Sequence, residues 1–173
     1  MADGTFAALM LIAGLADMNA NHCGTASGCL GQGDVTPRVA FSAGSSLERR
    51  AETGPEAYLR YDFARTIGPF GQAVGLSLGE ESGAWLGYGL TWGTTFGKTP
   101  FYTELHVMPG LYAASDSFDL GGPLEFRSGA ELGYEADNGW RYALSFDHRS
   151  NMSIYDSNPG IETVQFRVSM PIR

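Results

Sequence analysis

From about residue 35 onward, apolar and polar residues alternate with period two, in segments separated by turn-forming residues. That period places successive side chains on opposite faces of a sheet. In the segment 56–63, Ala57, Leu59, Tyr61 and Phe63 share one face, while Tyr58, Arg60 and Asp62 take the other. In 84–92, Ala84, Leu86, Tyr88, Leu90 and Trp92 oppose mostly glycine and threonine. From residue 101, Phe101, Thr103, Leu105 and Val107 oppose Tyr102, Glu104 and His106. The last three segments alternate most regularly. Leu124, Phe126, Ala130, Leu132 and Tyr134 oppose Glu125, Arg127 and Glu131. Trp140, Tyr142, Leu144 and Phe146 oppose Arg141, Ser145, Asp147 and Arg149. Val164, Phe166, Val168, Met170 and Ile172 oppose Thr163, Gln165, Arg167 and Ser169. With 38–44 and 70–78 added, the pattern predicts an all-β domain of about eight antiparallel strands, a common count for small membrane barrels.

Alternation alone does not say which face is inside. A soluble barrel buries its apolar face, whereas a membrane barrel turns it to lipid and fills the lumen with polar groups. Three features favour the membrane. Tyr134, Trp140, Tyr142, Trp92 and Phe101 lie near strand ends, where interfacial aromatic girdles sit. The opposite face mixes both signs of charge with glycine. Connection lengths also alternate once the C-terminus is placed in the periplasm. The periplasmic turns are then 137–139, 96–100 and 66–69. The outer loops are 151–159, 114–122, 79–83 and 45–55, three of them long. Asp137-Asn138-Gly139 is a tight-hairpin signal. The expected fold is an eight-stranded transmembrane β-barrel over 35–173.

Before that domain, Phe6 to Ala16 form the longest apolar run, too short for a transmembrane helix. Residues 1–20 therefore have the outline of a signal peptide, with an atypical n-region that lacks lysine or arginine. A buried first strand or short helix is the alternative. Residues 21–34 are expected to be a periplasmic segment. It carries the chain's two cysteines, Cys23 and Cys29, which close a small loop in an oxidising compartment and stay as thiols in the cytosol.

Composition narrows the partners. Glycine, at 24 of 173 residues, and 12% aromatics suit short strands and tight turns. A net charge of -8 argues against nucleic acid, whose phosphates require a basic surface. Lipid remains compatible.

The candidate chemistry lies near the end, in His148-x-Ser150-Asn151 and Asn158-Pro159-Gly160-x-Glu162. His148 and Ser150 share a face, with backbones ~6.5–7 Å apart, so the imidazole can take the serine proton. Glu162 begins the next strand, and a hairpin brings it opposite the pair, where a carboxylate orients the imidazole. His148 and Ser150 continue the Trp140–Phe146 face, and Glu162 begins the Val164–Val168 face. All three therefore belong to the lipid-facing wall, where polar groups are costly and call for a functional explanation. Interfacial strand ends do tolerate polar residues, at ~0–1 kcal/mol each, so alternation alone also permits a non-catalytic structural barrel. A soluble lipocalin-like binder, with its apolar face inward, is a third reading. Asp147 and Arg149 point inward as interior packing, His106 belongs to a luminal network, and His22 lies in the N-terminal segment.

These residues resemble the signature of the PagL family of lipid A 3-O-deacylases. So do Leu124-Glu125-Phe126-Arg127-Ser128-Gly129-Ala130-Glu131-Leu132-Gly133, the turn at Asn138-Gly139 and the Pro171-Ile172 ending. The resemblance covers about the last third of the chain. It implies an outer-membrane multi-pass β-barrel that hydrolyses the ester-linked 3-hydroxyacyl chain at the 3-position of lipid A, with lipid A or lipopolysaccharide as substrate. Ser150 would be the nucleophile, His148 the base and Glu162 the orienting carboxylate, with no cofactor and no metal. Asn158 would serve the oxyanion, supported by Gly160 and Asn151. Ser153 stands where the family pattern has glycine, and Met152 where it has a small residue. Arg49 and Arg50, in an expected outer loop, are candidates for lipid A phosphates. A homodimer is left open.

Overall fold

The computed structural model describes residues 4–48, 51–80, 82–114 and 118–172. A helix α1 (Thr5–Asp17) runs into one turn of π-helix (Met18–His22), and ten strands follow. They are β1 (Gln32–Asp34), β2 (Arg38–Glu48), β3 (Ala51–Asp62), β4 (Arg65–Ile67), β5 (Gly71–Gly79), β6 (Gly83–Thr95), β7 (Phe101–Ala113), β8 (Leu124–Glu135), β9 (Arg141–Ser150) and β10 (Ile161–Pro171). Eight of them close an antiparallel barrel in the order β10-β2-β3-β5-β6-β7-β8-β9, while β1 and β4 form a separate two-stranded pair. Closure is made by β10 against β2, from Glu162↔Leu47 to Pro171↔Arg38. A closed ladder leaves no unpaired edge, the condition for strands to cross hydrocarbon. No described helix is long and apolar enough to do so.

The two faces divide as the alternation predicts. Leu144, Leu132, Phe166, Phe41 and Leu59 lie exposed on the outer wall. The lumen holds Glu56, Arg60, Glu104, His106, Arg127, Glu131, Asp147, Arg149, Gln165 and Arg167, all buried. These charges are paired. The Arg127 guanidinium donates to Glu56 Oε1 at 2.8 Å and to Asp147 Oδ2 at 2.6 Å, and stacks 4.2 Å above the Tyr58 ring. Arg167 donates to Glu131 and to Ser42. Arg60 meets Glu104 at 2.7 Å, and His106 Nε2 lies 3.2 Å from Asp147 Oδ1. These charges each have a counter-ion or hydrogen-bond partner, as desolvated charges require.

Two details depart from expectation. The expected outer loop 45–55 is largely strand, because the β2–β3 ladder continues through a register shift after Ser46 to the pair Glu48↔Ala51. Of the expected outer loops, 114–123 and 151–160 remain as long connections, between β7 and β8 and between β9 and β10, at the same end of the barrel. The turn expected at 66–69 contributes β4, which pairs with β1. Where the sequence left alternatives open, the apolar run of residues 6–16 is a helix docked on the barrel, and Cys23 and Cys29 are joined in a disulfide.

Candidate active site

β9 carries two series of side chains. Its odd positions, Ala143, Ser145, Asp147 and Arg149, are buried in the lumen. Its even positions face outward, and along them the environment changes. Leu144 is 63% exposed, whereas His148 is 2% and Ser150 7%. These two polar residues therefore lie on the outer wall yet are covered. Glu162, half-buried, is the direct cross-strand partner of His148. Directly opposed residues have Cβ atoms ~4.5–5.5 Å apart, so strand pairing alone brings the carboxylate to the imidazole. Glu162 pairs on its other side with Leu47 of β2.

Part of the cover is Gly160. Its φ of +67° is a left-handed conformation that favours glycine. A Cβ there would stand 3.1 Å from His148 Cε1. The 151–160 loop thus crosses the imidazole at backbone distance, and only a residue without a side chain makes the turn and the contact together.

Asn151, fully buried, anchors that loop. Its Nδ2 donates to Leu120 O at 2.9 Å and to Ser157 O at 2.7 Å. Its Oδ1 accepts from Ser153 N at 3.0 Å. Its backbone N–H donates to Asn158 Oδ1 at 3.1 Å. That last bond fixes the Asn158 carboxamide with its NH2 turned away from Asn151, and Nδ2 donates to Ser153 Oγ at 3.3 Å. Tyr155 ties the loop to its neighbour by accepting from Leu124 N at 3.3 Å. Met152 and Ser153 have φ of 53° and 60°. Two successive non-glycine residues in the left-handed region are strained, by ~1–2 kcal/mol each. The strain falls on the two positions that depart from the family pattern.

His148, Ser150, Asn151, Asn158, Gly160 and Glu162 are therefore gathered at one end of the outer wall. Arg49 and Arg50 lie outside the described residues. Sequence reasoning passed over Ser128, which pairs directly with His148 from β8 and is 5% exposed. Its signal was legible: one hydroxyl between Phe126 and Ala130 in an otherwise apolar series. A cavity of 680 Å³ opens at the opposite end of the lumen, among Arg38, Asp62, Glu104 and Arg141. It contains none of these residues.

An apolar outer wall, a charge-filled lumen and a closed eight-stranded ladder define a transmembrane β-barrel of the outer-membrane type. Residues 37–171 match the family model for lipid A 3-O-deacylase (PagL), and the chain belongs to that family. Among solved structures, that of the outer membrane enzyme PagL is similar at a TM-score of 0.65 and 18% identity, covering 78% of this chain and 99% of that one. Neisserial surface protein A is similar at 0.59 and 11%, covering 82% and 99%. A de novo designed transmembrane β-barrel is similar at 0.52 and 11%, with the same coverage. Comparison with curated protein sequences gives no match.

Proposed function

We propose that this barrel is an outer-membrane lipid A 3-O-deacylase, with Ser150, His148 and Glu162 as its catalytic triad. One observation carries the reading. On an outer wall that is mostly apolar, a histidine and a serine are buried together, with a carboxylate directly across the strand pair from the histidine. Polar groups on a lipid-facing wall are costly away from the interface, and family membership supplies the chemistry they serve.

In this reading the imidazole of His148 takes the Ser150 proton as Oγ bonds to the ester carbonyl carbon of the 3-linked acyl chain. Glu162 holds the imidazole in orientation and stabilises the imidazolium. The Asn158 NH2, set by the Asn151 N–H, donates to the developing oxyanion. Collapse breaks the bond from the carbonyl carbon to the sugar 3-oxygen, which receives the proton from His148. A water then bonds to the acyl carbon as His148 takes its proton; the bond to Ser150 Oγ breaks, His148 returns the proton to Oγ, and the 3-hydroxy fatty acid is released. The site lies at the end carrying both long loops, the extracellular end in outer-membrane barrels. There the substrate arrives by lateral diffusion in the outer leaflet. Mass spectrometry of lipid A incubated with the protein tests the reading. Loss of one 3-hydroxyacyl group is expected, abolished by Ser150→Ala and strongly reduced by Glu162→Ala. Release unchanged in both variants would leave a structural barrel.

A further inference from the structure

Helix α1 lies outside the matched residues 37–171, yet it is built into the wall beside the triad. The outward residues Phe146, Ala130, Leu105 and Trp92 form one cross-strand row over β9, β8, β7 and β6. α1 follows that row. Phe6, at its start, packs on Phe146 with ring centroids 5.7 Å apart. Asp17, at its end, accepts a 2.9 Å hydrogen bond from Trp92 Nε1. Between them Met10 is buried, and Gly14 meets the ring of Phe70 so closely that a Cβ would stand 2.2 Å from Cε1. The dimensions agree. The eleven helical rises from Phe6 to Asp17 span ~16 Å, and the three strand spacings from β9 to β6 span ~14 Å. The outer face of the helix, Leu9, Leu11, Ile12 and Leu15, is exposed and apolar, suited to lipid. Beyond its end, the Cys23–Cys29 disulfide closes a local loop, and the β1–β4 pair holds the following segment to the connection between β3 and β5.

The helix starts where an acyl chain would run. Phe146 is one same-face step from His148 and two from Ser150, so Phe6 lies ~13 Å along the wall from the candidate nucleophile. A chain esterified at Ser150 and passing toward the membrane centre between β8 and β9 meets Phe6. The geometry points to α1 as the floor of the acyl-chain site, with Phe6 as the residue that sets how long a chain is accepted. This rests on the deacylase reading, and it assigns a specificity role to an element that the matched residues do not include.

The test uses protein extracted from outer membranes, with its intact mass measured first, and p-nitrophenyl esters from butyryl to palmitoyl in detergent. Phe6→Ala is expected to move the optimum to longer chains, raising kcat/KM for the longest esters about tenfold with the butyryl rate unchanged. Phe6→Trp is expected to move it to shorter ones. Gly14→Leu, which forces the helix off Phe70, is expected to flatten the profile. Opposite shifts from Ala and Trp are not the mark of a merely structural residue. An unchanged profile in all three variants overturns the inference while leaving the deacylase reading intact. So does a mature outer-membrane protein that lacks Phe6. Absence of any Ser150-dependent hydrolysis overturns the deacylase reading, and the inference with it.

Discussion

Two sets of polar residues stand back to back on β9. Asp147 and Arg149 face the lumen, and His148 and Ser150 face outward, one residue apart in sequence. The inner set is paired with counter-ions. Asp147 takes Arg127 on one oxygen and lies beside His106 on the other, and Arg149 donates to Ser77 Oγ at 2.8 Å and approaches Glu56 at 3.3 Å. The outer set lies under a loop, on a wall that faces lipid above and below it. Polar residues in a charged lumen have partners that account for them. His148 and Ser150 lie on a wall otherwise carrying Leu144, Phe146 and Val164, where the barrel fold itself calls for apolar groups. Parity on a single strand separates architecture from candidate site.

That comparison predicts two kinds of variant. Ser150→Ala is expected to lower deacylation on the order of 10⁴-fold or more, with the urea midpoint for unfolding from lipid vesicles unchanged. A large stability loss without an activity-specific effect would move Ser150 into the structural set. Glu162→Gln keeps size and removes the charge that stabilises the imidazolium. A loss of about 10³-fold in kcat, with KM little changed, is expected. Equal activity in the Gln variant would leave His148 to act without it.

The inner set should behave in the opposite way. Arg127→Met leaves Glu56 and Asp147 buried without their main counter-ion, and breaking such a pair costs about 3–5 kcal/mol. The expected result is a marked drop in unfolding free energy, while the protein that remains folded retains its rate on lipid A. If Arg127→Met abolished turnover at full stability, the lumen would belong to the mechanism and the division would fail.

The barrel was legible because its period is short and strict. Every outward and inward assignment from Tyr58 to Ser169 follows from counting by two, and the Glu162–His148 pairing follows once 151–160 closes a hairpin. The docking of α1 was not legible. It depends on Phe6, Gly14 and Asp17 meeting Phe146, Phe70 and Trp92, contacts between segments more than fifty residues apart that no local pattern encodes. The run of residues 6–16 shows only apolarity, which suits a leader and a wall-bound helix equally. The 45–55 segment reads as a loop because Ser45, Ser46, Gly54 and Pro55 are turn-forming types. The β10 and β3 ladders that flank β2 override that preference. The Asn151 anchor also escaped notice, since its partners at Leu120 and Ser157 lie in two different loops.

The smallest effect concerns the loop that covers the outer set. Ser153 is held at φ 60°, and its hydroxyl accepts from the same Asn158 NH2 that would serve the oxyanion. Ser153→Gly relieves a left-handed non-glycine residue, a gain of up to about 1 kcal/mol after glycine's greater chain entropy is counted. It also releases one Asn158 N–H. Ser153→Ala releases the same hydrogen while keeping the strain. The pair therefore separates two consequences of one residue. Both variants are expected to raise kcat severalfold if the Asn158 amide is shared with Ser153, and only the glycine variant is expected to raise the urea midpoint. A gain in kcat confined to glycine would attribute the effect to loop strain. No gain in either would remove the Ser153 hydroxyl from any role in limiting the oxyanion donor.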